Sequence, residues 1–414
     1  MKHGYRIIFK QKLFMRSIFA NLINRFGDSV DAIAFSWLVY AITNSAAWSA
    51  IVLGVNLLPN IVVQPIAGAI VERLSKKRVI VVCDIARGIM TAFILILYLG
   101  NNLSPWVLLG ITFINNTFES FRSPASTCFI PMILKEEHYE FGLSFNQSSS
   151  RVCELVGIGL AGVIIAAFGV QGAIIIDMLT FFLCAAIIAS IPVKEELQRT
   201  ARTVLNSIKV CISDLKDGLK YLIKSKIVFM ISIIACIINM ALVPINSFQA
   251  PYISGTLNAP AYVLSMMSMG MSIGIAVGAF LYPYIHKLIS NRMILLGGGV
   301  AIGIYYVGLS GIALMDSLIL VMSSIVILNL IFGVFVGAMI AMNGVVFMEY
   351  VEKAYLARVS AIYGALAMLG MPILSFIMSG ISNYVDVSTI FTIFGIFTIL
   401  IFIGMMFVKS IKDI

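Results

Sequence analysis

Apolar residues in this chain come in runs of about twenty, separated by short polar or basic segments. A helix rises about 1.5 Å per residue, so roughly 20 apolar residues cross a hydrocarbon layer of ~30 Å. Twelve such runs can be drawn: 18–42, 47–71, 78–99, 104–132, 143–168, 171–191, 226–252, 260–286, 292–313, 317–348, 358–382 and 386–408. The pattern predicts an all-α membrane protein with twelve transmembrane helices. Residues 193–225 change character. There Leu205, Ile208, Ile212, Leu215, Leu219 and Leu222 recur at spacings of three and four, with lysines and aspartates between them. That is an amphipathic helix expected to lie on the membrane surface. It divides the chain into a six-helix bundle (1–192), a cytoplasmic linker (193–225) and a second six-helix bundle (226–414).

Composition agrees with the pattern. Of 414 residues, 60% are hydrophobic and 11% charged, against about 25% charged in a soluble domain. The net charge of +9 does not point to nucleic acid, because the basic residues follow the predicted membrane. With the N-terminus inside, Lys2, Arg6, Lys10, Lys12, Arg16, Arg73, Lys76, Lys77, Arg78, Lys287, Lys353, Lys409 and Lys412 all fall on the cytoplasmic side. The opposite loops (43–48, 101–104, 169–171, 254–258, 316 and 383–386) hold no lysine or arginine. Both termini are therefore expected in the cytoplasm. The first run is too long and too polar for a signal-peptide core and is expected to stay.

Motifs exclude more than they propose. The sequence has no G-x-x-x-x-G-K-[ST], so no ATP site is expected; it has no H-E-x-x-H, C-x-x-C or G-x-S-x-G, so no enzyme is proposed. Cys83, Cys128, Cys153, Cys184, Cys211 and Cys236 lack metal-type spacing and read as free thiols, and neither metal nor cofactor is expected. Gly157, Gly159 and Gly162 spell G-x-G-x-x-G inside an apolar helix. Without a βαβ context they read as close helix packing, as do Gly270, Gly274 and Gly278.

Charged residues inside the runs are costly, at least ~2.5 kcal/mol for a carboxylate at mid-bilayer. They concentrate in the first half: Arg25, Asp28 and Asp31; Glu119 and Arg122; Arg151 and Glu154; and Asp177. In the second half Glu349 and Arg358 lie only near the helix ends. Arginine and carboxylate three residues apart can touch on one helix, so mutual neutralisation is the plain reading of Glu119–Arg122 and Arg151–Glu154. Asp177, placed towards the outer face, also reads as structural. Residues 21–39 differ, because Asp28 and Asp31 share one face with a single arginine, Arg25. Two like charges in a poorly solvated place do not both ionise readily, so one of them can take up and release a proton. Asp28 and Asp31, with Glu119 and Glu154 as relay or cavity groups, are the candidates for proton coupling or substrate binding. Arg25, Arg122 and Arg151 are their charge partners.

The halves look like weak copies: "AIVERLSKKRVIVV" (69–82) aligns with "PYIHKLISNRMILL" (283–296), and "KEEHYEFGLS" (135–144) with "VEKAYLARVS" (351–360). Duplicated bundles with a site at their interface are a common transporter plan. Further segments carry a family likeness: "FGDSVDAIAFSWLVYAITNSA", "GAIVERLSKKR", "CDIARG", "IIIDMLTFFLCAAI", "DLKDGLKYLIKSKIV" and "VEKAYLARVSAIYGAL". In this order they resemble the major facilitator superfamily, and within it the drug–proton antiporter branch that includes macrolide efflux proteins and the enterobactin exporter. Two departures stand out. Ser75 replaces a glycine of the loop signature, and "ELVGIGLAGVI" (154–164) lacks the proline of the antiporter signature.

The resemblance implies two bundles rocking about a central cavity. It also implies a cytoplasmic gate of ion pairs from Glu72, Arg73, Arg78, Asp84 and Arg87, reaching Arg358 in the other half. The expectation is a monomeric, multi-pass transporter of a bacterial inner membrane that exports amphipathic, macrolide-like drugs in exchange for protons. The alternatives are an exporter or flippase of an endogenous siderophore, peptide or lysolipid, and a membrane sensor or assembly partner that does not transport.

Overall fold

The computed structural model describes residues 8–71, 73–134, 138–193, 219–352 and 356–407, without the side chains of residues 69, 140, 356–358 and 361. Glu72, the Arg358 side chain, Cys211 and most of the predicted linker helix lie outside the described residues. Among the described residues the regular elements are helices: α1 (Lys12–Thr43), α2 (Ala46–Val71), α3 (Lys76–Leu99), α4 (Pro105–Ile133), α5 (Tyr139–Ala189), α6 (Lys226–Ala241), α7 (Val243–Ala250), α8 (Ala261–Ile285), α9 (Asn291–Ile312), α10 (Leu318–Tyr350), α11 (Leu356–Ile381) and α12 (Val387–Met405). A π-helical turn, Pro251–Thr256, follows α7.

Nine helices among the described residues are long and apolar enough to cross a membrane, where twelve spans were expected. The difference has physical causes. Polar and charged residues interrupt the apolar windows of α1 and α4, and α5 contributes one 49-residue run, Phe141–Ala189. That run is broken at Gly169, whose φ of 70° lies in the left-handed region open to glycine. The arms 139–168 and 170–189 match two of the predicted runs.

Helix starts are written locally. Ser75, Ser104 and Ser290 accept a hydrogen bond from the backbone N–H of Arg78, Val107 and Met293, capping α3, α4 and α9. Lys77 Nζ donates to Ile191 O at 2.8 Å, just past the C-terminal end of α5.

The chain divides into two compact units, one within Met1–Leu38 and Val55–Ile212, the other within Val39–Gly54 and Ser213–Ile414. In unit 1, Ala20, Val71, Ile80, Ala125, Phe129, Cys184, Ile188 and Ile191 form one buried apolar cluster. In unit 2, α8 and α10 approach until their backbones touch. A Cβ on Gly278 would lie 2.0 Å from Val334 O, and one on Gly337 2.1 Å from Ile275 O, so only glycine fits. Residues 39–54 also pack within unit 2, where the Ser375 hydroxyl donates to Ala50 O at 2.6 Å. Tyr306 holds the junction of α6 and α7. Its hydroxyl donates to Ala241 O (2.7 Å) and accepts from Ile245 N–H (3.3 Å), inserting into the helical ladder beside Pro244.

Candidate functional site

The site lies inside unit 1. Asp28 on α1 accepts from Asn24 Nδ2 at 2.6 Å and from Arg87 Nη2 at 2.9 Å. Arg87, on α3, gives its other Nη to Glu119 on α4 at 2.5 Å and lies 4.2 Å over the Phe181 ring. Arg122, on α4, pairs through Nε with Asp84 on α3, and its Nη2 approaches Cys184 Sγ at 3.5 Å. Asp84 is fully buried.

Helix packing replaces one of the two pairs read from spacing. Glu119 and Arg122 do not neutralise each other; each reaches to α3. Asp84 and Arg87 are three apart on α3, and Glu119 and Arg122 three apart on α4. Each helix therefore presents an acid and a base on one face. Asp84 meets Arg122 and Arg87 meets Glu119, the crossed register of two antiparallel helices.

Asp84 and Arg87 were expected at a cytoplasmic gate. They sit eight and eleven residues beyond Lys76, which starts α3, hence about 12 and 16 Å along it, and they pair inside the unit. Arg78 stays exposed in the first turn, and Arg73 lies in the turn before α3. Arg151 and Glu154 do pair on α5, at 3.0 Å, but Arg151 is 70% exposed, so this is an ion pair at the surface. Arg25 is exposed as well.

Two polar cavities flank the Arg87–Glu119 pair. One, of about 80 Å³, is lined by Asp31, Asn56, Arg87, Thr91, Thr112 and Asn115, among others. The other, of about 170 Å³, is lined by Asn24, Arg25, Glu119, Arg122, Ser126 and Asn146, among others. Unit 2 holds a larger pocket of about 540 Å³, lined by apolar side chains such as Ile304, Phe332 and Phe335.

Asp177, read as a structural acid towards the outer face, is 1% exposed and belongs to this cluster. Asn56 and Asn115 were also passed over. The available signal was polarity itself, an asparagine or aspartate in an otherwise apolar run. The described cluster sets five carboxylates (Asp28, Asp31, Asp84, Glu119, Asp177) against two guanidiniums, Arg87 and Arg122.

The sequence profile of the Major Facilitator Superfamily matches residues 17–330. The chain belongs to the major facilitator superfamily. An uncharacterized MFS-type transporter of Bacillus subtilis, YkuC, is 28% identical over 225 residues, a match covering 53% of this chain and 52% of that protein. Macrolide efflux protein A of Enterococcus faecalis is 24% identical over 336 residues, covering 78% of this chain and 99% of that protein. The crystal structure of the nucleoside transporter NupG superposes with a TM-score of 0.77 at 11% identity, covering 95% of this chain and 98% of that one. As a member of this superfamily, the chain is a multi-pass membrane transporter.

Proposed function

We propose that this major facilitator protein exports amphipathic, macrolide-like compounds from a bacterial cell in exchange for protons, by alternating access. The observation that carries the reading is that five carboxylates, Asp84 and Asp177 buried and Asp28, Asp31 and Glu119 partly buried, share two guanidiniums inside unit 1. Carboxylates that outnumber their guanidiniums can pass a proton among themselves as the ion pairs change partners. Asp28, Asp31 and Glu119 take this role, with Arg87 as their shared counter-charge; Glu154 stands apart with Arg151. The efflux activity in the name of the Enterococcus relative supports the direction and the class of compound. In this reading the chain crosses the inner membrane twelve times with both termini in the cytoplasm. Arg73 and Arg78, with Glu72 and Arg358, guard the inner face, and one copy suffices.

The test is proton movement in energised inverted membrane vesicles. A panel of macrolides, lipophilic cations and lysolipids is added while a pH-sensitive dye is followed. Compound-triggered proton efflux, lost in Asp28→Asn or Asp31→Asn, is the expected result. Full proton-driven activity in both variants would overturn the assignment, and silence across the panel with folded protein would overturn drug antiport.

A further inference from the structure

Asp177 is the buried acid that the proposed coupling leaves without a role. Its Oδ2 lies 3.5 Å from Thr91 Oγ1, and its Oδ1 has no hydrogen-bond partner. The nearby Thr180 hydroxyl is spent on the Asp177 backbone carbonyl, at 2.7 Å. Gly27 of α1 lies opposite, where a Cβ would come within 3.0 Å of Oδ1. The charged groups acting on Asp177 are Asp28 and Asp31 from α1 and Arg87 from α3. Arg87 is already divided, one Nη on Asp28 and the other on Glu119 of α4, and its buried Nε–H has no partner. An ionised Asp177 would therefore be a buried charge without a counter-charge of its own, which is strongly disfavoured.

The neighbouring 80 Å³ cavity is bordered by Asp31, Arg87 and Thr91, and two further polar oxygens on its wall, Asn56 Oδ1 and Asn115 Oδ1, lack partners. A polar space of this size accommodates ordered water. On the far side of the Arg87–Glu119 pair, Glu119 borders the 170 Å³ cavity.

We propose that Asp31 and Asp177 share one proton through the Thr91 hydroxyl and this water-sized cavity, whose wall Asp31 and Thr91 form, and that the Arg87–Glu119 ion pair is the barrier between the two cavities. The inference rests on the proton-coupled reading above. The step conserves charge. As the Arg87 guanidinium leaves Glu119 for Asp177 and Asp31, their proton passes through water to Glu119, which becomes neutral. As Arg87 returns, Glu119 releases that proton into the second cavity and the Asp31–Asp177 pair takes up another from the first.

Infrared spectroscopy of the purified full-length protein tests the shared proton without needing a substrate. At neutral pH the wild type should show a protonated-carboxyl band, shifted in heavy water. Asp31→Asn and Asp177→Asn should each shift that band, because the proton then rests on one acid alone. Thr91→Val should move its frequency, and Asp177→Glu should keep it. In reconstituted vesicles that pass the fold check by thermal melting, Asp177→Asn should retain exchange of labelled erythromycin at equal pH within about twofold. It should lose accumulation driven by a pH gradient by tenfold or more. A carboxyl band unchanged in both folded asparagine variants would overturn the shared proton. Gradient-driven accumulation unchanged in Asp177→Asn would overturn its role in coupling. A wild type with the expected band and no transport would instead overturn the export reading, so the two failures are distinct.

Discussion

The buried charged side chains, Asp84, Arg87, Arg122 and Asp177, all belong to unit 1, whereas the buried polar side chains described in unit 2 are neutral. Unit 2 is held by backbone contact at glycines and by an aromatic group. Tyr305 stacks on Phe332 at 3.8 Å, Tyr306 and Tyr252 pack on Phe391, and Tyr252 donates to Leu309 O at 2.6 Å. Close packing of neutral groups fixes one arrangement, because glycine-lined backbones have no second register at equal cost. A network of five acids and two bases has several proton and ion-pair arrangements of similar charge, so it can switch. On the proposed reading the proton chemistry belongs to unit 1, while unit 2 is held by close neutral packing.

The largest expected effect breaks that contrast at Arg122. Arg122→Met leaves Asp84 buried without its partner and should cost about 3–5 kcal/mol, read as a lowered melting temperature in detergent. Arg122→Met with Asp84→Leu should recover most of that loss; a double variant as unstable as the single would show that packing, not charge, governs the site. Next comes Gly278→Val in unit 2, where the side chain must displace the Val334 backbone. It should cost about 1–3 kcal/mol, while Gly297→Ala, with open space around it, should leave the melting temperature within a degree or so.

Tyr306→Phe tests one of the neutral hydrogen-bonding groups of unit 2. Removing the hydroxyl leaves Ala241 O and Ile245 N–H without it and should cost about 1–2 kcal/mol; no change in melting would mean water replaces it.

Asp386 gives a smaller, pH-dependent effect. Its carboxylate accepts from Thr389 N–H at 2.9 Å and caps α12 at an exposed position, which holds its pKa below the usual value. Asp386→Ala should cost about 1 kcal/mol near neutrality. A lowered folded-state pKa stabilises above the unfolded value and is lost as pH falls through the folded one. The difference between wild type and variant should thus shrink below about pH 4. The smallest effect is expected for Arg151→Ala. Arg151 is 70% exposed and pairs with Glu154 along one helix, so stability should change by less than about 0.5 kcal/mol in the melting curve.

Hydrophobic periodicity and composition determined that this is an all-helical membrane chain, and placed its ionisable groups in the first half. They also marked the glycine stretch of α8 as a packing face, now seen against α10. Those features are local or additive: a run of apolar residues is costly to expose wherever the rest of the chain goes. Ion pairing was legible only as i,i+3 spacing, which suggested Arg151 with Glu154, a pair that forms, and Glu119 with Arg122. Tertiary structure decided otherwise, because the antiparallel register of α3 and α4 brings each base closer to the acid on the other helix. It likewise decided the surroundings of Asp177, which the approach of α1 at Gly27 helps to bury. Which charges meet depends on helix rotation and register, and those are set by packing over the whole unit rather than by any short stretch of sequence.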